Sequence, residues 1–126
     1  MSDSEVRILI VDDEPNIRRM VLRMLRQIGF PNVDENDGKT VLQAIKQRHY
    51  DLIICDWQMQ PTRGIDVLEF VRADPDLKTL PFIMLTGQNT SESVLAAVNA
   101  GTQGYIMKPF SVQTLSANVE RVLATR

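Results

Sequence analysis

Acidic, hydroxyl and ammonium side chains stand directly after four short apolar runs of this sequence. They are Asp12, Asp13, Asp56, Thr86 and Lys108. Two carboxylates 4 Å apart repel by about 4 kcal/mol at an effective dielectric constant of ~20, so three together would call for a cation. Mg²⁺ takes carboxylate, carbonyl and phosphate oxygens as ligands, and Thr86 and Lys108 would then face an anion on its far side. If the fold brings these residues together, they predict a site for Mg²⁺ and an anion.

The acids after the first run also have a purely structural explanation. Pro15 suits the first turn of a helix, and an acid just before it suits the helix N-terminus. Asp13 or Glu14 could therefore cap a helix instead of binding a ligand. The sequence leaves both explanations open for each of these carboxylates.

Apolar runs and helical patterns alternate five times along the chain. The runs are Ile8 to Val11, a weak one around Val33, Leu52 to Cys55, Phe82 to Leu85 and Tyr105 to Met107. The helical patterns follow Pro15, Asp37-Gly38, Gly64, Thr90-Ser91 and Ser111. Strict alternation predicts parallel strands joined by right-handed crossovers, and hence a three-layer α/β domain. The mostly polar second strand suits a sheet edge.

The polar residues that follow the strands should share one crevice. The carboxyl ends of parallel strands lie at the same edge of a sheet, and folds of this kind bind their ligands there. We therefore expect the three aspartates, Thr86 and Lys108 to face one another.

The first helix carries four arginines beside its apolar stripe. They are Arg18, Arg19, Arg23 and Arg26. The helical spacing predicts that all four face water, which is the usual role of such a face. The alternative is contact with an acidic kinase or phosphotransfer bundle.

Size and composition predict one ordinary domain spanning residues 1–126, with a short flexible tail at residues 1–5. A net charge of −2 gives no general attraction to nucleic acid or membrane. The sequence has a single cysteine, Cys55, and shows neither a signal-peptide pattern nor a membrane-spanning pattern. These features predict a cytoplasmic protein. Cys55 should be buried on the opposite side of its strand from Asp56. His49 has no neighbouring metal-ligand residue types, so a metal or phosphorelay role is not expected.

The polar set as a whole resembles the CheY-like receiver domains of response regulators in two-component signalling. The resemblance covers essentially the whole chain and rests on Asp12-Asp13, Asp56 in CDWQMQP, Gly64, Thr86-Gly87, and Tyr105 with Lys108-Pro109-Phe110. It implies a doubly wound (βα)5 fold of flavodoxin type, with a five-stranded parallel sheet in the order 2-1-3-4-5.

The resemblance implies a role for each residue of the site. Asp56 would accept a phosphoryl group from a phosphohistidine of a histidine kinase or histidine phosphotransfer protein. Mg²⁺ would be the cofactor, held by Asp13 directly, by Asp12 largely through water, by Asp56, and by the backbone carbonyl of Gln58. Lys108 would neutralise a phosphoryl oxygen. The chain would not be an enzyme beyond its own phosphorylation and dephosphorylation.

A conformational switch is implied as well. Thr86 would donate to a phosphoryl oxygen, and the ring of Tyr105 would move with it. This would alter a surface formed by the fourth helix, fifth strand and fifth helix, where a downstream protein would bind. Gln58 and Gln88 would flank the path of the hydrolytic water, and Lys108-Pro109 would be a cis bond.

The proposed chemistry is reasonable from the residues themselves. A carboxylate near its reference pKa of about 4 is ionised at neutral pH, so Asp56 needs no general base to attack phosphorus. It does need positive charge between two anions, which Mg²⁺ and Lys108 would supply.

Some features depart from the family pattern. Gln60 stands where a proline is common and Pro61 follows it, which predicts a shifted turn. The segment from Gly29 to Gly38 is one residue shorter than in the chemotaxis receivers. Trp57 and the absence of an output module resemble single-domain chemotaxis receivers.

Three other kinds of protein fit the sequence less well. In a phosphatase of haloacid dehalogenase type, Glu14 would have to be the catalytic acid. The sequence also has no segment for the cap domain of such enzymes. A flavin-binding domain would need a hydroxyl- and glycine-rich phosphate loop where this chain has carboxylates. A receiver-like scaffold that is never phosphorylated would not need Asp56, Thr86 and Lys108 together.

Overall fold

Five strands and five helices alternate in the computed structural model, which describes residues 5–87 and 91–125. The strands are β1 (Arg7–Val11), β2 (Asn32–Asn36), β3 (Leu52–Asp56), β4 (Phe82–Thr86) and β5 (Gly104–Met107). The helices are α1 (Pro15–Gln27), α2 (Val41–Gln47), α3 (Gly64–Ala73), α4 (Ser91–Asn99) and α5 (Val112–Leu123). The sheet is parallel with the order β2-β1-β3-β4-β5, so the predicted fold is confirmed.

Two apolar layers cover the two faces of the sheet. The layer under α1 and α5 includes Val21, Leu25, Leu115, Val119 and Val122. The layer under α2 and α3 includes Val41, Ile45, Val67, Leu68 and Val71. Cys55 is fully buried in this second layer, as predicted. Because strands β1, β3 and β4 are buried on both faces, only their ends can offer polar groups to solvent.

Strand register aligns the carboxyl ends of the strands. Val11 lies beside Cys55, and Asp56 lies beside Leu85 in the neighbouring strand. Thr86 lies beside Met107, the last residue of β5. The residues that follow these positions therefore emerge at one edge of the sheet, as the alternating pattern predicted.

Helix boundaries follow local signals in the sequence. Pro15 is the first residue of α1, and the positive φ of 109° at Gly29 follows the end of that helix. Ser111 caps α5, because its Oγ accepts a hydrogen bond from the Thr114 backbone nitrogen at 3.1 Å.

Two proline bonds are cis. Lys108-Pro109 is cis, as the family resemblance implied, and Gln60-Pro61 is a second cis bond that was not anticipated. In the described ranges, no helix has the length and apolar character needed to cross a bilayer. Most of the predicted N-terminal tail, residues 1–4, lies outside the described residues.

Candidate functional site

Three carboxylates meet at the carboxyl edge of the sheet. One oxygen from each of Asp12, Asp13 and Asp56 lies within 4.8 Å of the other two. Asp12 and Asp56 are buried, and Asp13 is exposed. β1 and β3 are adjacent parallel strands, so Asp12 and Asp13, which follow β1, lie beside Asp56, which ends β3. We call Asp12, Asp13 and Asp56 the acid cluster.

Lys108 brings one positive charge to the acid cluster. Its Nζ donates to Asp56 Oδ1 at 2.9 Å and to Asp12 Oδ2 at 3.4 Å. Its backbone nitrogen donates to the Thr86 carbonyl oxygen at 2.8 Å, which fixes the residue at the end of β5 beside β4. A single ammonium therefore faces three carboxylates, and negative charge remains in excess.

The charge imbalance appears in the pKa values of two groups. Burial raises the pKa of Asp56, the negative charges of Asp12 and Asp13 add to that effect, and the hydrogen bond from Lys108 opposes it. Burial alone lowers the pKa of Lys108, but the hydrogen bond to Asp56 and the charges of Asp12 and Asp56 outweigh it, and the pKa is raised. A second cation would relieve the repulsion that remains.

The donor set of the acid cluster fits a hard divalent cation. Its side-chain ligand atoms are all carboxylate oxygens, and no thiol, imidazole or thioether belongs to it. Mg²⁺ prefers oxygen ligands of this kind and keeps several waters, which the exposed side of Asp13 would allow. The cluster therefore could hold Mg²⁺.

Helix capping does not account for Asp13 or Glu14. Glu14 is the residue before α1, but no side-chain hydrogen bond caps this helix. Asp12 makes the local contact instead, because its Oδ1 accepts from the Glu14 backbone nitrogen at 2.9 Å. The Asp13 carboxylate thus belongs to the acid cluster and not to the helix end.

The two residues of the predicted switch lie on β4 and β5. Thr86 is buried at the end of β4. Tyr105 is partly buried in β5, and its hydroxyl lies 3.5 Å from Ser93 Oγ in α4. Tyr105 packs against the apolar layer under α2 and α3 and is not part of the acid cluster.

The loop that follows Asp56, the last residue of β3, borders a cavity. The Trp57 backbone nitrogen donates to the Leu85 carbonyl at 2.8 Å, and Gly64 nitrogen donates to the Trp57 carbonyl at 2.9 Å. A Cβ at Gly64 would lie 2.1 Å from the Asp56 carbonyl oxygen, so only glycine fits there. The cavity, of about 800 Å³, is lined by Asp13, Trp57, Gln58, Met59, Gln60, Pro61 and Arg63.

Of the two glutamines predicted beside the hydrolytic water, Gln58 lies within the described residues and Gln88 does not. Gln58 is exposed on the loop that borders this cavity, close in sequence to Asp56. Gln88 lies outside the described residues. His49 is largely exposed beside Asp51, and it does not belong to the acid cluster.

Arg18 corrects the prediction that all four α1 arginines face water. Its side chain is only 16% exposed, its Nη1 donates to the Asp12 carbonyl oxygen at 2.9 Å, and its Nε donates to Glu35 Oε1 at 3.1 Å. Helical spacing placed Arg18 on the water-facing side of α1 with the other arginines, and it does not reveal a backbone acceptor. The prediction holds for Arg19, Arg23 and Arg26, which are exposed.

Comparison with known families and sequences finds extensive similarity. Residues 8–120 match the response regulator receiver domain model. Chemotaxis protein CheY-3 of Vibrio cholerae is 40% identical over 121 residues, which is 95% of this chain and 93% of the relative. Chemotaxis protein CheY of Pseudomonas aeruginosa is 40% identical over 118 residues, which is 93% of this chain and 95% of the relative.

Solved structures show the same fold. A putative response regulator from Chloroflexus aurantiacus superposes with a TM-score of 0.89 at 35% identity, covering 94% of this chain and 98% of the other. Chemotaxis response regulator CheY4 of Vibrio cholerae superposes with a TM-score of 0.85 at 31% identity, covering 93% of this chain and 98% of the other.

Proposed function

This chain belongs to the response regulator receiver family of two-component signalling, and we propose that it accepts a phosphoryl group on Asp56 in a Mg²⁺-dependent reaction. The observation that carries the proposal is the position of Lys108, whose Nζ bonds both Asp56 and Asp12 inside the acid cluster. Capping of a helix would not bring three acids and an ammonium together, and one ammonium leaves the three acids with excess negative charge. The donor would be a phosphohistidine of a histidine kinase or histidine phosphotransfer protein.

The reaction is a transfer from nitrogen to oxygen. A carboxylate oxygen of Asp56 attacks phosphorus, the bond from phosphorus to the donor imidazole breaks, and its electron pair returns to the imidazole nitrogen. Lys108, already 2.9 Å from Asp56 Oδ1, offsets negative charge as the two anions approach. Water later attacks the acyl phosphate, which releases inorganic phosphate and restores the carboxylate. Asp56 thus needs no separate base in the first step.

Mg²⁺ would be held by Asp12, Asp13, Asp56 and the backbone carbonyl of Gln58. When bound, it supplies positive charge shared between the acids and the phosphoryl oxygens. Asp13, which is exposed, would bind directly, and Asp12, which already accepts from Glu14 and Lys108, would act largely through water. Gln58 would also influence how long the acyl phosphate survives, together with Gln88.

Phosphorylation would change partner binding through Thr86 and Tyr105. Support comes from the hydrogen bond between Lys108 nitrogen and the Thr86 carbonyl, which links the site to β4 and β5. Among the described residues, the exposed large hydrophobic side chains are Leu95 and Val98, both on α4. A surface of α4, β5 and α5 would thus offer apolar contacts to a downstream protein.

The chain would turn over only its own phosphoryl group and would work in the cytoplasm. Its relatives include chemotaxis proteins, so control of motility is the first pathway to examine. Neither nucleic acid nor membrane is proposed as a direct partner. The acid cluster has the wrong charge to bind a flavin phosphate directly.

The test is phosphorylation by acetyl phosphate with and without Mg²⁺, followed by mass spectrometry of the intact protein and of its peptides. We expect one added phosphate, located on Asp56 and dependent on Mg²⁺. Asp56→Asn should abolish it, whereas Asp76→Asn, an exposed aspartate in the loop before β4, should leave it unchanged. Equal phosphate incorporation in Asp56→Asn and the parent would refute the acceptor assignment. Continuous phosphate release from free phosphoesters would favour a phosphatase.

A further inference from the structure

Arg18 connects the acid cluster to the edge strand. Its guanidinium is forked between two acceptors: Nη1 donates to the Asp12 carbonyl oxygen at 2.9 Å, and Nε donates to Glu35 Oε1 at 3.1 Å. Asp12 follows β1, Arg18 lies in the first turns of α1, and Glu35 lies in β2. The Arg18 side chain is only 16% exposed; its bond to the Asp12 carbonyl is partly buried, whereas its bond to Glu35 is exposed.

Asp12 is held at several points and Asp13 is not. The Asp12 nitrogen donates to the Asn36 carbonyl at 3.1 Å, and the Asp12 side chain accepts from Glu14 nitrogen and from Lys108. Within the described part of the chain, no hydrogen bond or ion pair holds the Asp13 carboxylate. The direction of the Asp13 side chain therefore depends on the peptide between Asp12 and Asp13, whose carbonyl oxygen Arg18 holds.

We propose that Arg18 is a positioning residue for the acid cluster. Its hydrogen bond to the Asp12 carbonyl oxygen determines the affinity of the cluster for Mg²⁺. The inference rests on the proposed function, because it assigns Mg²⁺ to this cluster. Arg18 does not touch the reacting atoms. It acts by holding the peptide that orients the Asp13 side chain, as groups that orient metal ligands do in other proteins.

Charge and geometry make opposite predictions for Arg18. A guanidinium near a cation site repels the cation, so removing its charge should strengthen Mg²⁺ binding if charge were all that mattered. If Arg18 aims Asp13, removing the guanidinium should weaken Mg²⁺ binding despite the relief of that repulsion. The sign of the change therefore decides between the two effects.

The experiment is a calorimetric titration of metal-free protein with MgCl₂. We expect Arg18→Gln to bind Mg²⁺ about tenfold more weakly than the parent, which is the usual scale for loss of a group that orients a ligand. Arg18→Lys should also bind Mg²⁺ weakly, because an ammonium keeps the charge but cannot make both hydrogen bonds of the guanidinium. Arg19→Gln is the matched control: it removes the same charge from the next residue, which is exposed, and should bind at least as tightly as the parent.

Two further measurements separate positioning from a general loss of structure. Phosphorylation by acetyl phosphate should approach the parent rate in Arg18→Gln once Mg²⁺ is saturating, because only the metal requirement has shifted. Glu35→Ala removes the outer anchor together with one negative charge, so it should weaken Mg²⁺ binding more than Asp37→Asn, which removes one exposed negative charge and no contact with Arg18. This variant keeps the test decisive if Arg18→Gln fails to fold.

The outcomes are distinct. If Arg18→Gln binds Mg²⁺ as tightly as Arg19→Gln, or if Glu35→Ala binds Mg²⁺ as tightly as Asp37→Asn when Arg18→Gln is unfolded, the positioning role is wrong. A rate that stays low at saturating Mg²⁺ would likewise overturn it. A parent protein that binds no Mg²⁺ and takes no phosphate would instead overturn the proposed function.

Discussion

Asp56 is a buried carboxylate whose nearest charged neighbours are mostly of its own sign. Asp12 and Asp13 lie within 4.8 Å, and Lys108 is the cation that bonds it. Burial and the two acids raise the pKa of Asp56, which shows that the ionised form is disfavoured relative to an exposed aspartate. The acid cluster could therefore hold a cation, and its like charges oppose one another in the metal-free fold.

Asp13→Asn tests this balance of charge. The variant removes one like charge from the cluster and no hydrogen bond within the described residues, so the metal-free protein should be as stable as the parent or more stable. Mg²⁺ at ten times its dissociation constant should add about 1.4 kcal/mol to the unfolding free energy of the parent and much less to Asp13→Asn. Urea unfolding with and without Mg²⁺ measures both effects.

Asp37→Asn is the control, since Asp37 is an exposed acid outside the cluster. A metal-free melting temperature that falls by several degrees in Asp13→Asn but not in Asp37→Asn would show that Asp13 mainly supports the fold.

Sequence reasoning identified these acids because a parallel sheet brings its strand ends together. Asp12, Asp56 and Lys108 each follow an apolar run, so topology alone predicted their convergence. Arg18 was misassigned because its acceptor is a backbone carbonyl, which every residue carries and no side-chain pattern reveals. The contact became visible only when the turn between β1 and α1 was known.

Side chains from neighbouring elements hold the β2 edge strand in place. Asp34 of β2 accepts from the Tyr50 hydroxyl at 2.8 Å and from Arg48 at 3.2 Å, and Arg7 of β1 lies 3.6 Å from it. β2 has fewer buried residues than the central strands, so these polar contacts add to its backbone pairing with β1. The strand that carries Glu35 is thus held through Asp34 as well as through its pairing with β1.

Tyr50→Phe should reveal this link through its pH dependence. Burial, the hydrogen bond to Asp34 and its negative charge raise the pKa of Tyr50 to about 12, above its ordinary value of 10.0. A raised folded-state pKa gives stability that is complete below pH 10 and is lost as pH rises through about 12. The advantage of the parent over Tyr50→Phe should therefore shrink across this window, as urea midpoints at pH 8, 10 and 11 would measure. A constant difference between the two proteins would contradict the contact.

Helices and strands were predictable to within a few residues, but the loops were not. The alternating pattern and the polar β2 gave the sheet order once the family resemblance was added. The cis bond at Gln60-Pro61 and the contact between Gly64 and the Asp56 carbonyl depend on how one loop packs against one strand end. Such contacts have no periodicity, so sequence spacing alone does not predict their geometry.

The whole molecule separates its charged edge from its exposed apolar surface. Asp12 and Asp13 follow β1 and Asp56 ends β3, whereas Leu95 and Val98 lie on α4, which connects β4 to β5. The proposed route between them would run through Thr86, which is buried at the end of β4, and Tyr105, whose hydroxyl lies 3.5 Å from Ser93 of α4. On this proposal, a signal from Asp56 in β3 would pass through β4 and β5 before it reaches this surface.

Thr86→Ala tests whether that route carries the signal. Losing the hydroxyl removes the proposed donor to a phosphoryl oxygen, so a two-state element biased by that anion should no longer respond. We expect the variant to take phosphate on Asp56, at a reduced rate, but to show little phosphorylation-dependent change in amide exchange across residues 91–104. Thr79→Ala, a change at an exposed threonine before β4, should keep the parent response. If Thr86→Ala instead shows the full change, the switch lies elsewhere, and the acceptor assignment stands without it.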